Sequence, residues 1–177
     1  AGQITICDKS AFLNDLMEFY GIDCPDGCRL YASDARILAR NISGFSSRMK
    51  KCNETAELVA DFLKAHPAIE NVWYPKFTTP DTYEAIRREG GGYGGLISFV
   101  LKNRKKTPRF YDALRISKGP SLGTEFSLAC PYTMLAHYDE MEWVEGCGLD
   151  KYLIRISIGI EDTNDLLSRM SEALKLA

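Results

Sequence analysis

The chain has 177 residues, 45% hydrophobic and 26% charged, with 22 Lys and Arg against 24 Asp and Glu and a formal charge of -2. That mixture excludes a disordered, fibrous or collagen-like chain, and the even charge balance leaves no basic stripe for nucleic acid. No apolar run reaches the roughly 18 residues of a membrane helix, and the start, Ala1 to Cys7, lacks the basic flank and apolar core of a signal peptide, so a cytoplasmic location is expected.

Ile4 and Ile6 alternate as in a strand, and a chain that opens on a strand without an initiator Met looks cut from something longer. Ser10 is placed to cap a helix carrying Phe12, Leu13, Leu16, Phe19 and Tyr20 as far as Gly21, followed by a loop over 21–27. Next, Ile42, Phe45, Met49, Cys52, Ala56, Val59 and Leu63 alternate spacings of three and four. They predict one long amphipathic helix over 34–66, capped near Ser33 or Asp34 and stopped by Pro67, long enough to join two structural units. Beyond it, strands are expected over 71–74, 96–101 and 153–159 and extended chain over 126–129. Helices are expected over 81–88, over 107–115 and after a cap at Asp162. The class is α/β or α+β, with an antiparallel or mixed sheet carrying helices on one face.

The six cysteines are scattered through a chain large enough to fold without staples, which favours free thiols. Cys24 and Cys28 have the spacing of half a zinc knuckle, yet no second pair completes four ligands, so no metal is expected. His66 stands before Pro67 at a helix end and His137 among aromatics, positions that suit capping and packing. The run Gly90-Gly91-Gly92-Tyr93-Gly94-Gly95 follows a helix and opens a strand, the reverse of a phosphate-binding loop, and reads as an entry turn.

Arg155 is the informative exception in an apolar strand, between Ile154 and Ile156. A buried guanidinium needs a carboxylate, supplied either by a ligand or by Glu125, Glu161 or Asp162. The small-residue turn Gly119-Pro120-Ser121-Leu122-Gly123-Thr124 is either a plain turn or a place where a hydroxyl and open backbone groups meet a small polar ligand. No nucleophile and base stand at recognisable spacing, so the residues alone lead to a small-molecule carboxylate site without a reaction.

Several segments together resemble one family. Ser121-Leu122-Gly123-Thr124-Glu125-Phe126-Ser127-Leu128, then Pro131, then Leu153-Ile154-Arg155-Ile156-Ser157-Ile158-Gly159-Ile160-Glu161-Asp162 resemble the S-L-G-x-x-x-S-L and L-I-R-x-S-x-G-x-E-D motifs of the Cys/Met-metabolism pyridoxal-phosphate enzymes. Gly94 to Phe99, the helix ending Ser47-Arg48-Met49, Ala65-His66-Pro67 and Val72-Trp73-Tyr74-Pro75 resemble further family segments. Ile116-Ser117-Lys118-Gly119-Pro120 and Ala129-Cys130-Pro131-Tyr132-Thr133 look most like the fungal cystathionine γ-synthase branch.

The resemblance implies the small C-terminal domain of a fold-type I enzyme over 67–177, a linking helix over 34–66, and the end of the large cofactor-binding domain over 1–33. It implies pyridoxal 5'-phosphate held on a lysine outside this sequence, so no catalytic or cofactor-binding residue is expected here and the chain alone should be inactive. Arg155 matches the arginine that clamps the substrate α-carboxylate, and Ser121 and Leu122 match the pair lining that pocket. The implied reaction is γ-replacement on an O-acyl-homoserine within a dimer of dimers. Pro120 and Met134-Leu135-Ala136-His137 depart from the family pattern at positions facing the distal substrate. The nucleophile therefore stays open between cysteine and a carbon nucleophile, beside a γ-lyase, a sulfhydrylase, or a non-catalytic amino-acid-binding or oligomerisation module.

Overall fold

The computed structural model describes residues 31–177, so the strand, helix and loop expected before residue 28, with Cys7, Cys24 and Cys28, lie outside the described residues. The chain divides between Ser43 and Gly44 into two units. Of the first, α1 (Ala32–Ile42) is described. It begins ahead of the expected caps, with Asp34 inside its first turn, where a carboxylate complements the helix dipole.

The second unit opens with α2 (Phe45–Ala65), so the helix expected without interruption over 34–66 is broken at Ser43-Gly44. Two local effects account for the break. Gly44 costs about 1 kcal/mol relative to Ala in a helix interior. Ser43 and Ser47 direct their hydroxyls to the carbonyls of Arg40 and Gly44, at 2.9 and 3.0 Å, in competition with the helical ladder. His66 ends α2 as expected, its Nδ1 accepting the Ala68 N–H at 3.2 Å.

Five strands follow: β1 (Ile69–Trp73), β2 (Leu96–Leu101), β3 (Ser117–Lys118), β4 (Leu128–Pro131) and β5 (Ile154–Ser157). They form one sheet in the order β1-β2-β5-β4-β3, antiparallel except for the parallel β3-β4 pair. The intervening helices are short: α3 (Pro75–Thr78), α4 (Pro80–Ile86), α5 (Thr107–Ala113), α6 (Tyr132–Ala136) and α7 (Met141–Gly146). Prolines in the first turns of α3, α4 and α5 start them where a missing N–H costs nothing. The last helix, α8 (Thr163–Leu174), is capped by Asp162, whose carboxylate accepts the Asp165 N–H at 2.9 Å.

One face of the sheet, carrying Ile97, Phe99, Leu101, Ala129, Ile154 and Ile156, packs under α2 and α8. The stripe Ala56, Val59, Ala60 and Leu63 comes from α2, and Leu166, Met170, Ala173 and Leu174 come from α8. From α5, Phe110 meets Phe99 edge-on with ring centroids 5.9 Å apart. Ile154 and Ile156 are fully buried, each contributing about 1.5–3 kcal/mol. A one-residue slip of β5 would expose both and bury Arg155, so the alternation fixes the register.

Candidate substrate carboxylate site

The same alternation turns Arg155 and Ser157 to the opposite face of the sheet. There a row runs across four strands, with Trp73 beside Ser98, Ser98 beside Arg155, and Arg155 beside Cys130. The flanking side chains Ser98 and Cys130 are small, which leaves the long arginine room to lie over the sheet. Trp73, Ser98 and Arg155 are half-buried and Leu96 is 40% exposed, while Val100, Cys130 and Ser157 on the same face are buried, so this face is open in part, around Arg155. Arg155 is therefore not enclosed, as its apolar flanks suggested, but set on the accessible side.

Two contacts hold the guanidinium. Arg155 Nη2 donates to the carbonyl of Pro120 at 2.6 Å. Its central carbon lies 4.7 Å from the centroid of the Tyr132 ring, a cation–π distance. Beside it, burial pushes the Cys130 thiol pKa up while the neighbouring guanidinium pulls the other way.

Ser121 and Leu122 lie between two anchors of their turn: Pro120 O on Arg155, and the Gly123 N–H donating to Ser157 Oγ at 3.3 Å. Gly123 has φ +73°, a conformation that favours glycine. Both intervening residues are exposed, Leu122 by 54%. The turn and the strand that carry the three predicted site residues are thus tied together at both ends.

The three acidic residues weighed as partners of Arg155 are occupied elsewhere. Glu125 pairs with Arg48 at 3.6 Å and Asp162 caps α8. Glu161 accepts both the N–H and the hydroxyl of Ser127, the latter at 2.9 Å. Among the described residues Arg155 forms no ion pair with a carboxylate.

The second serine and the Gly-x-Glu of the two motifs have structural work that sequence alone did not reveal. Ser127 is buried, and its Oγ also accepts the Gly159 N–H at 3.0 Å. A side chain on Gly159 would come within 2.5 Å of the Glu125 carbonyl and 2.6 Å of the Phe126 backbone. The spacing Ser127, Gly159, Glu161 is a latch that closes the turn onto the end of β5. The glycine run has a comparable explanation as an entry turn. Asn53 of α2 packs where a side chain on Gly92 would stand and accepts the Gly94 N–H at 2.9 Å.

Around the Arg155 guanidinium stand the Pro120 carbonyl, the Ser98 side chain, the Cys130 thiol and the Tyr132 ring, and the cation among them suits a carboxylate ligand. Lys118, close to the turn in sequence, has Nζ on the carbonyls of Tyr111 and Leu114, both at 2.6 Å, and burial holds its pKa below the ordinary lysine value. The Arg155 guanidinium is thus the group here whose charge suits a carboxylate, while the Lys118 amine is engaged by backbone carbonyls.

The described residues form a mixed α/β arrangement in which one sheet face packs under α2 and α8 and the other carries Arg155. The profile of the Cys/Met metabolism PLP-dependent enzymes matches residues 5–175, and the chain belongs to that family. It is 45% identical over 148 residues to the cystathionine gamma-synthase of Neurospora crassa, covering 83% of this chain and 24% of that protein. The chain thus spans about a quarter of that relative's length. Among solved structures it is similar to a Campylobacter jejuni protein assigned as an O-acetylhomoserine (thiol)-lyase, which carries a pyridoxyl-lysine phosphate. The TM-score is 0.77 at 26% identity, over 96% of this chain and 41% of that one. It is also similar to the cystathionine gamma synthase of Xanthomonas oryzae, solved with aminoacrylate and cysteine, with TM-score 0.68 at 29% identity over 77% of this chain and 36% of that one. The fold is thereby that of fold-type I pyridoxal-phosphate enzymes, as the motifs implied.

Proposed function

We propose that this chain is the C-terminal part of a pyridoxal-phosphate-dependent γ-replacement enzyme acting on an O-acyl-L-homoserine, and that it supplies the clamp for the substrate α-carboxylate. The observation carrying this reading is Arg155: a guanidinium on the open face of the sheet, oriented by a carbonyl and a ring, with no carboxylate partner among the described residues. Two of its N–H groups can meet a carboxylate as a bidentate fork, charge-assisted and fixed in direction. Ser121 and Leu122 are assigned to the same site, on the turn anchored at Pro120 and Gly123.

The cofactor, when bound, stabilises negative charge developing on the substrate carbons next to the amino group. The part played by this chain is to bind and orient. Holding the α-carboxylate fixes the rotation of the substrate and so the direction of the Cα–H bond presented for proton removal. The cofactor lysine is assigned outside this sequence, residues 34–66 to the connection between large and small domains, and residues 67–177 to the small domain. The chain by itself is expected to be inactive, and the whole enzyme to be a cytoplasmic homo-oligomer. The likeness to the Neurospora synthase favours replacement over elimination, the nucleophile being cysteine or a carbon nucleophile.

Product analysis of the full-length protein tests this reading. With O-acetyl-homoserine and cysteine it should form cystathionine. Release of a 2-oxo acid with no new C–S bond would assign a γ-lyase instead, and absence of bound cofactor would leave only an amino-acid-binding module.

A further inference from the structure

Arginine is a flexible side chain, with much rotamer freedom to lose when it is fixed. A bidentate clamp requires the plane of the guanidinium to be set before the ligand arrives. An acidic neighbour would set it, but would also neutralise the charge and compete with the incoming carboxylate. Here neither holding group is an anion. Pro120 contributes a carbonyl at 2.6 Å and Tyr132 a ring face at 4.7 Å, which orient the group while its charge stays available.

Tyr132 is itself held. It is the first residue of α6, directly after β4 ends at Pro131, and its N–H donates to the Leu153 carbonyl at 2.9 Å at the entry to β5. The adjacent Thr133 is fully buried, its hydroxyl donating to the Asp150 carbonyl at 2.8 Å. The ring packs at 73° to His137, centroids 5.7 Å apart, and His137 Nδ1 is 2.6 Å from the Glu140 carboxylate. Glu140, His137, Tyr132 and Arg155 thus form a continuous line of contacts, a hydrogen bond, an edge-on ring pair and a cation over a ring face, whose last member is the clamp.

We propose that Tyr132 is a positioning residue for Arg155, its ring serving as the platform that preorganises the guanidinium for the substrate carboxylate, with His137 and Glu140 bracing that ring. The proposal rests on the reading of Arg155 as the clamp. The π face matters and the phenolic hydroxyl does not, so phenylalanine should serve in its place.

The test is a double-mutant cycle in the full-length enzyme. It uses KM and kcat for O-acetyl-L-homoserine and the inhibition constant of L-norvaline, an amino acid of the same backbone without a γ leaving group. Tyr132→Leu should raise KM and the norvaline constant about tenfold, as expected for loss of a partly desolvated cation–π contact, with the effect falling on KM rather than kcat. Tyr132→Phe should recover most of the lost affinity. In an Arg155→Ala background Tyr132→Leu should cost almost nothing further, because the platform then has nothing to orient. Independent, additive effects, or a Tyr132→Phe variant as weak as Tyr132→Leu, overturn the proposal. Should Tyr132→Leu fail to accumulate, Tyr132→Met fills similar space without a π face and decides the matter in the same way. If Arg155→Ala alone leaves both constants unchanged, the clamp assignment is what has failed, and the platform falls with it.

Discussion

Gly159 shows how a single residue binds the motif together. Its backbone passes so close to Glu125 and Phe126 that a methyl group has no room: those contacting atoms are main chain and cannot swing away, and the Glu161 carboxylate that also crowds the position is held by Ser127. Gly159→Ala should destabilise the protein by about 1–3 kcal/mol, the range for overpacking, read as a lowered Tm of the full-length enzyme; an unchanged Tm would contradict the close approach. Ser127→Ala removes the hydroxyl bridging Glu161 and the Gly159 N–H, and should cost about 1.5–3 kcal/mol, as for hydrogen bonds to charged groups. Arg155 was legible in the sequence as a charge set into an apolar alternation. Its holders were not: a backbone carbonyl such as that of Pro120 has no residue signature, and the Tyr132 contact depends on strand register. Glu161, near Arg155 along the chain, looked like a possible partner, but the chain reversal after β5 turns it to Ser127.

At the scale of elements, Arg104 ties the first strand to the segment ahead of the last. Its guanidinium pairs with Glu70 on β1 and donates from Nε to Asp150 at 2.7 Å. The Arg104 hydrogen bond holds the Glu70 carboxyl below its ordinary value. A carboxylate whose folded-state pKa is lowered stabilises the fold above its ordinary value, near 4.3, and loses that contribution as pH falls through the lowered one. Glu70→Gln should therefore reduce hydrogen-exchange protection of the β1 amides at neutral pH. Its difference from the wild type should vanish in acid; a difference that persists unchanged below that range would contradict the pairing. The strands and α8 were legible because alternation, the Asp162 cap and the helical stripe agree. By contrast, α6, α7 and β3 are too short for periodicity to register, and the break at Gly44 reflects a local glycine and serine effect inside an unbroken hydrophobic stripe.

For the molecule as a whole, the sheet divides the work of its two faces. One buries isoleucines and phenylalanines under α2 and α8, and the other presents Arg155 with the turn bearing Ser121 and Leu122. The family was legible because the two motifs join residues that the sheet brings together, and the structure gives a physical reason for each. The reaction was not legible, because no nucleophile and base stand at recognisable spacing in the sequence. The measurement that tests the central claim most directly compares the full-length wild type with Arg155→Ala, following L-norvaline affinity and the visible absorbance of bound cofactor in the same samples. A clamp predicts affinity lowered about 100-fold, or about 3 kcal/mol, with the cofactor absorbance retained. Norvaline bound as tightly as by the wild type would contradict it.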